Sequence, residues 1–247
     1  MKISGYSDRG LVREKNEDSF GYAVKEDGTI LALLCDGIGG NNAGEVASKN
    51  AVDIILNEFK KSSDLHNSSV ASNWITKVIQ DCNDRLYQIA SSKKQYLGMG
   101  TTLVGVLIYK DMTLIINVGD SRVYGLFDKL VCLTKDHNLL EELIHSGQIS
   151  EAEAISSNRK HILTNALGVY NKVKVDIGLV NNDYDCLLLC SDGLHGYVNE
   201  NVIYDVLKKN KTIEEKVELL IQASLIEGGY DNTTVVLIDK EVETYVN

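Results

Sequence analysis

The chain has 247 residues, 44% of them hydrophobic, so it can bury a sizeable core without disulfides or a partner chain. Its 35 acidic and 25 basic side chains give a net charge of -10, which argues against nucleic acid and anionic membranes as partners. No apolar run reaches the roughly 18 residues of a membrane span, and the N-terminal segment lacks a signal-peptide core. We therefore expect one cytoplasmic domain over residues 1–247.

Short runs of β-branched and aliphatic residues predict about ten strands. In chain order they are Lys2–Ser7, Ser19–Val24, Thr29–Cys35, Thr101–Tyr109, Met112–Val118, Arg122–Phe127, Leu130–Leu133, Val173–Gly178, Cys186–Cys190 and Thr233–Ile238. Helical periodicity predicts helices at Ala43–Lys61, Val70–Ser91, Asn138–Ser146, Asn199–Lys208 and Ile213–Ile226.

Strands and helices in separate blocks favour an α+β fold over alternating βαβ units. We predict two stacked antiparallel β-sheets flanked by helices on both outer faces, an α-β-β-α sandwich. The weakly patterned segment Ser146–Asn171 is predicted to be an excursion over one edge of the sheets.

Four aspartates stand where an apolar run meets a glycine or a tight turn: Asp36, Asp120, Asp192 and Asp231. Converging strand ends would bring these carboxylates together, where they would repel each other unless cations lay between them. Carboxylates without a matching His or Cys set favour Mg²⁺ or Mn²⁺ over Zn²⁺. The sequence therefore predicts a divalent metal centre, and the alternative is that these aspartates only cap turns.

Two further segments carry candidate ligands. In RGLVREKNED, Arg13 offers a fork of donors suited to phosphate or carboxylate, and Glu17 and Asp18 add anionic oxygens. The alternative is an exposed charged loop that makes ordinary surface ion pairs. In CDGIGGNNAGEVAS, Gly37 exposes a carbonyl that could join a metal shell beside Asp36. No Lys-Ser or Lys-Thr pair follows these glycines, so the Walker A phosphate loop is missing.

Eight segments in order resemble the metal-dependent protein serine/threonine phosphatase family (PPM, type 2C), and in particular its compact bacterial members. They are RGLVREKNED, CDGIGG, GMGTTLVGVLI, NVGDSRVYGL, LTKDH, ILTNALG, CSDGLHGYV and GGYDNTTVVLI. The resemblance extends from Tyr6 to Ile238, which is nearly the whole chain.

The resemblance implies a set of metal ligands for two ions, with a third, weaker ion in bacterial members. Asp36 is expected to bridge two ions, and the Gly37 carbonyl and Glu17 complete the shell of the second, directly or through water. Asp192 and Asp231 are expected to hold the first ion, and Asp120 with Asp192 matches the third site.

The resemblance also implies residues that support this centre. Arg13 matches the arginine that clamps the substrate phosphate, Asp18 matches an acidic residue behind the metal shell, and Asn232 follows Asp231 as the motif requires. The segment from residue 146 to 171 matches a flap beside the active site. Family versions usually carry a proline and an arginine near its end, whereas this chain reads SSNRKHILTNALG there, including Arg159 and Lys160.

The expected reaction is hydrolysis of phosphoserine and phosphothreonine in proteins by a metal-bridging hydroxide, with Mn²⁺ or Mg²⁺ as cofactor. Arg13 would offset charge on the equatorial oxygens of the phosphoryl group. The leaving alkoxide needs a proton donor, and Ile38 stands where animal members place a histidine. A water on the third metal, His195 and His161 are the open candidates.

Bacterial relatives commonly oppose a membrane-anchored Ser/Thr kinase, so the resemblance implies phosphorylated proteins as substrates, and such a kinase and its targets as partners. We expect a monomer. Two alternatives stay open: a catalytically inactive adaptor of the same fold, and a two-metal hydrolase of small phosphoesters. The presence of every expected carboxylate speaks against the adaptor.

Overall fold

A computed structural model describes residues 1–39, 43–63, 65, 67–150 and 162–240. The described strands are β1 (Lys2–Asp8), β2 (Asp18–Val24), β3 (Ile30–Ile38), β4 (Gly100–Thr101), β5 (Leu103–Tyr109), β6 (Met112–Val118), β7 (Arg122–Leu126), β8 (Leu130–Cys132), β9 (Asp176–Val180), β10 (Cys186–Cys190) and β11 (Thr233–Asp239). The described helices are α1 (Ala43–Lys61), α2 (Ser68–Ser92), α3 (Leu139–His145), α4 (Asp192–His195), α5 (Glu200–Leu207) and α6 (Ile213–Ile226), with a 3₁₀ turn at Lys94–Tyr96.

The strands form two antiparallel sheets. The first has the order β1-β11-β10-β7-β8, and the second has the order β2-β3-β5-β6-β9, with β4 paired to β3. In the first sheet β11 lies between β1 and β10, so the last described strand pairs with the first strand and joins it to β10. The predicted α+β class and the two stacked sheets are confirmed.

The alternation of side chains along each strand explains why the central strands are apolar on both faces. On β3, Ile30, Ala32 and Leu34 pack against the other sheet, in one cluster with Leu187 and Val236 of β10 and β11. The side chains between them on β3 point to the opposite face and pack under α1 and α2: Leu31, Leu33 and Cys35. Residues of β10 and β11 pack in the same way under α5 and α6, and include Leu188, Cys190, Val235 and Leu237. Helices therefore cover both outer faces, as predicted.

Helix ends follow local sequence signals. Thr212 caps α6 by accepting from the Glu215 N–H, while the Glu215 carboxylate accepts from the Thr212 N–H, which completes a capping box. Asn67 caps α2 and Asn138 caps α3 in the same sense, each through its side-chain oxygen. Within the described ranges, no helix is long and apolar enough to cross a membrane.

Two predicted strands differ from the structure. The prediction Thr101–Tyr109 was wrong in being continuous, because the chain breaks at Thr102, whose N–H donates to the Asp36 carbonyl at 2.8 Å. The prediction Val173–Gly178 was placed too early, since β9 begins at Asp176. Val173 is buried, but its carbonyl accepts from Gln80 Nε2 on α2 instead of joining a strand ladder. Residues 151–161 of the predicted excursion lie outside the described residues.

Candidate metal centre

Strand ends from both sheets open into one cleft of ≈ 410 Å³. Asp36 and Gly37 lie near the end of β3, Asp192 begins α4 directly after β10, and Asp231 precedes β11. The cleft is lined by every residue predicted to be a metal ligand, together with two predicted neighbours: Glu17, Asp36, Gly37, Asp120, Asp192 and Asp231, with Arg13 and Asn232. The structure therefore brings together side chains that are up to about 200 positions apart in the sequence.

Asp18 is placed differently from the other acidic candidates. It begins β2 directly opposite Asp36 in the antiparallel register, but it is buried behind the cleft and does not line it. Its Oδ2 accepts from the Thr234 hydroxyl at 2.7 Å and the Ser191 hydroxyl at 2.8 Å. Its Oδ1 is buried without a hydrogen-bond partner among the described residues, which leaves one anionic oxygen to be satisfied.

The cleft brings together acidic side chains, two of which are largely enclosed by surrounding protein atoms. Burial raises the pKa of Asp36 well above its usual range, and the carboxylates of Asp18, Asp192, Asp120 and Asp231 raise it further. Burial likewise raises the pKa of Asp120 to about 8, with a further contribution from Asp192. These carboxylates are close enough to oppose one another's ionisation, as the sequence predicted.

Asp36 is held rigidly through its main chain. Its N–H donates to Thr102 Oγ1 at 2.9 Å, and its carbonyl accepts from the Thr101 hydroxyl at 2.9 Å. The Thr102 hydroxyl also bonds Ser121 Oγ at 2.7 Å, and Ser121 follows Asp120 in the chain. The break between β4 and β5 thus links the Asp36 and Asp120 backbones, a role that sequence reasoning did not assign to Thr102.

The loop that carries Arg13 and Glu17 is tied down by Asn232. The Asn232 side chain accepts from the Glu17 N–H at 2.8 Å and donates to the carbonyls of Arg9 at 2.9 Å and Lys15 at 2.7 Å. Its side chain therefore shapes the loop, and its position directly after Asp231 joins that loop to a predicted ligand.

Position 37 requires glycine, because two neighbouring backbone segments approach it closely. A Cβ at Gly37 would collide with the carbonyls of Gly44 and Glu17, so the start of α1 and the Glu17 loop pack directly on the β3 end. Burial raises the pKa of Glu17, and a hydrogen bond from the Gly44 backbone lowers it. A Cβ at Gly44 would also press on the Glu17 carboxylate. Both glycines thus hold Glu17 beside Asp36.

Arg13 reaches across the cleft to Asp231. Its Nη2 donates to Asp231 Oδ2 at 2.7 Å, and its side chain is 53% exposed while that of Asp231 is 18% exposed. A guanidinium in this position can bind a phosphate that enters from solvent.

The two predicted histidine acids have different outcomes. The Nε2 of His195 lies 3.0 Å from the Asp120 carbonyl, and the residue borders a smaller adjoining cavity of ≈ 140 Å³ together with Asp136. His161, like Arg159 and Lys160, lies outside the described residues. Tyr197 borders both cavities, although sequence reasoning assigned it no role.

The donor set fits hard divalent cations. The cleft offers carboxylate oxygens and one glycine carbonyl, which are the ligands that Mg²⁺ and Mn²⁺ prefer. In the described part of the chain, no three acidic, His or Cys side chains converge tightly enough to enclose an ion in this conformation. The raised pKa values of Asp36 and Asp120 and the unpartnered Asp18 oxygen mark acidic groups whose ionised form a bound cation would stabilise.

Comparison with known proteins places these features in a family. The sequence model of the family described as Protein phosphatase 2C matches residues 12–227. The chain is similar to the serine/threonine phosphatase Stp of Listeria monocytogenes serovar 1/2a, with 39% identity over 238 residues, which are 96% of this chain and 94% of that protein. It is also similar to protein phosphatase PhpP of Streptococcus pneumoniae, with 32% identity over 249 residues, covering 98% of this chain and 99% of that protein.

Solved structures agree in fold over nearly the full length. The serine/threonine phosphatase Stp1 from Staphylococcus aureus superposes with a TM-score of 0.90 at 37% identity, covering 98% of this chain and 95% of that chain. The S. agalactiae serine/threonine phosphatase superposes with a TM-score of 0.92 at 33% identity, covering 97% of this chain and 99% of that chain.

Proposed function

The chain belongs to the protein phosphatase 2C family and is a protein serine/threonine phosphatase, and we propose that the carboxylate cleft is its active site. The observation that carries this proposal is the convergence of strand ends from both sheets. They bring Glu17, Asp36, Asp120, Asp192 and Asp231 into a single cleft beside an arginine. Proteins of this family are metal-dependent, and the oxygen-only donor set suits Mn²⁺ or Mg²⁺.

The proposed ligands divide between the two sheets. Asp36 would be shared by two ions, with Gly37 and Glu17 on one side and Asp192 and Asp231 on the other. Asp120 and Asp192 would hold a third ion, next to the cavity that His195 borders. Asp18 would support the metal ligands from outside the cleft, because its unpartnered Oδ1 belongs to the residue that lies opposite Asp36 at the start of β2.

The chain's own residues explain why divalent ions are needed. Five carboxylates and one guanidinium line the cleft, so a phosphate dianion would be repelled by the protein alone. When bound, divalent ions supply the missing positive charge and lower the pKa of water. Arg13 orients the phosphoryl group, and the Thr101, Thr102 and Ser121 hydroxyls keep the Asp36 and Asp120 loops in place.

We further propose phosphorylated proteins, among them a Ser/Thr kinase and its targets, as the substrates of this site, and a cytoplasmic monomer as the working form. The five cysteines are free, and all but Cys132 are buried, which suits a reducing compartment. The third-metal proposal and the flap assignment over residues 146 to 171 follow from the same family. We propose that residues 1–247 make up one catalytic domain.

The test measures phosphate release from a phosphothreonine peptide by purified protein with Mn²⁺, with and without EDTA. We expect release that EDTA abolishes and that Asp36→Asn lowers by at least about 10²-fold. Asp185→Asn is the matched control, because the exposed Asp185 carboxylate pairs with Lys208 on the surface and does not line the cleft. EDTA-resistant release, or no release from wild-type protein, would reject the proposed site. Parallel assays with nucleotide and sugar phosphates distinguish a phosphoprotein phosphatase from a hydrolase of small phosphoesters.

A further inference from the structure

Four exposed apolar or aromatic side chains lie either at the cleft or within two residues, along the chain, of Arg13 or Asp231, which line it. Leu11 is 67% exposed, Val12 61%, Tyr230 54% and Tyr197 38%. We call these four residues the apolar rim. Single exposed apolar residues are common on protein surfaces, but a contiguous group beside a binding cleft points to recognition.

The rim is one surface built from distant chain segments. The rings of Tyr197 and Tyr230 lie 5.6 Å apart between centroids, with their planes inclined by 36°. The N–H groups of Leu11 and Val12 donate to the Gly229 carbonyl at 2.7 Å and 3.3 Å. A Cβ on Gly229 would lie only 2.9 Å from Leu11 Cγ, so the loop before Tyr230 packs closely on Leu11.

The rim is also continuous with the active-site cleft. Tyr197 lines the cleft itself, Val12 directly precedes Arg13, and Asp231 directly follows Tyr230. The 2.7 Å contact between Arg13 and Asp231 joins the two halves of the strip. One residue of extended polypeptide spans about 3.3 Å. A residue whose phosphate reaches Arg13 therefore carries its chain neighbours onto the rim.

We propose that the apolar rim is the docking surface for the substrate polypeptide beside the phosphorylated residue, and that it selects a large apolar side chain at that neighbouring position. The proposal rests on the proposed function of the cleft. The occupant is the substrate itself, since a phosphorylated residue cannot enter the cleft without its flanking backbone crossing the border. A net charge of -10 opposes acidic peptides, so apolar contact supplies attraction that the overall charge does not.

The test compares two phosphothreonine peptides that differ only in carrying Leu or Gly beside the phosphorylated residue, with para-nitrophenyl phosphate as a substrate that has no polypeptide. We expect wild-type protein with Mn²⁺ to prefer the Leu peptide by about tenfold in kcat/KM. In the double variant Leu11→Ser/Tyr230→Ser this ratio should fall toward one, while para-nitrophenyl phosphate turnover stays within about twofold, because neither residue lines the cleft.

Leu179→Ser is the matched control, because Leu179 is 64% exposed on the edge strand β9 and does not belong to the rim. It should keep the wild-type peptide preference. An equal ratio in wild type and double variant, or no preference in wild type, would overturn the proposal. If the double variant keeps the wild-type peptide preference but has a lower molar mass in light scattering, the rim binds a second copy of the chain and the proposal is wrong. If wild-type protein hydrolyses neither the phosphothreonine peptides nor para-nitrophenyl phosphate, the proposed function of the cleft is rejected, and the rim proposal with it.

Discussion

Arg13 donates a hydrogen bond from Nη2 to Asp231 Oδ2 at 2.7 Å, so the proposed phosphate ligand directly contacts a proposed metal ligand. This pair neutralises one carboxylate of a crowded anionic cleft. Because the guanidinium is about half exposed, the contact is weak enough to be exchanged. A cation at Asp231 would free Arg13 to turn toward a phosphate.

We expect Arg13→Ala to lower kcat/KM for a phosphothreonine peptide by about 10²-fold, because one preorganised donor to the phosphoryl oxygens is lost. Mn²⁺ affinity, measured by calorimetry, should stay equal or rise, because Asp231 no longer has a competing cation. Arg9→Ala is the control, since the exposed Arg9 side chain points to the Glu14 carbonyl and away from the cleft. A parallel loss of Mn²⁺ affinity would contradict the proposed role of Arg13.

Metal binding should release protons near neutral pH. Burial raises the pKa of Asp120 to about 8, so this carboxyl retains a proton that a metal ion must displace, and the pKa of Asp36 is raised in the same direction. Mn²⁺ affinity should therefore rise between pH 6 and pH 8. Calorimetry in buffers of different ionisation enthalpy measures the protons released, and Asp120→Asn should reduce that number. Zero release at pH 7 would refute the expected coupling.

The metal-free protein should lose stability as the pH rises. The pKa of Asp120 is about 8 in the folded state against an ordinary value of 3.8, so the folded state binds this proton more tightly than the unfolded chain. That stabilising contribution is complete below about pH 4 and is lost as the pH rises through 8. At pH 9 we expect Asp120→Asn to raise the Tm of the metal-free protein by about 2 to 4 °C, corresponding to about 1 kcal/mol. An unchanged or lower Tm in calorimetry, with Asp185→Asn as control, would contradict this.

His137 connects the Asp120 loop to the segment after residue 161. Its Nδ1 accepts from the Gly119 N–H at 3.2 Å and from Asn165 Nδ2 at 2.8 Å, so Nε2 carries the proton that is donated to Asp176 at 2.9 Å. Its main chain also bonds Gly119 and Thr164. The Gly119 N–H and the Asn165 and Asp176 side chains thus converge on one imidazole, and the His137 main chain adds the bonds to Gly119 and Thr164.

We expect His137→Phe to lower the free energy of unfolding by about 1 to 3 kcal/mol, because buried donors lose their acceptor. Chemical denaturation of the metal-free protein measures this. His145→Phe is the matched control, since His145 is an exposed residue at the end of α3 and should tolerate the change. A His137→Phe variant as stable as wild type would mean that this network does not hold the loop.

The sequence predicted the sandwich and the cleft because both depend on local patterns. Apolar runs flanked by Gly and Asp mark strand ends, and the four aspartates shared that context before any contact was known. Val173 shows the limit, because a buried loop residue held by Gln80 on α2 has the same apolar signature as a strand residue.

Tertiary contacts explain what the sequence could not reveal. Thr102 interrupts a strand at the point where both its N–H and its hydroxyl bond the main chain of Asp36, 66 positions away. His137 and Tyr197 likewise take their surroundings from segments that periodicity does not relate to them. The position of Asp18 outside the cleft became clear only from the pairing register of β2 and β3.

The position of β11 between β1 and β10 makes completion of the proposed active site wait for the last described strand. A nascent chain still awaiting this strand lacks Asp231 and has no neighbour on which β1 can complete its sheet. Such an intermediate would have Glu17, Asp36, Asp120 and Asp192 but not Asp231. Completion of the proposed site is thereby coupled to completion of the first sheet, so a chain in which β11 has not yet paired lacks the full set of proposed ligands.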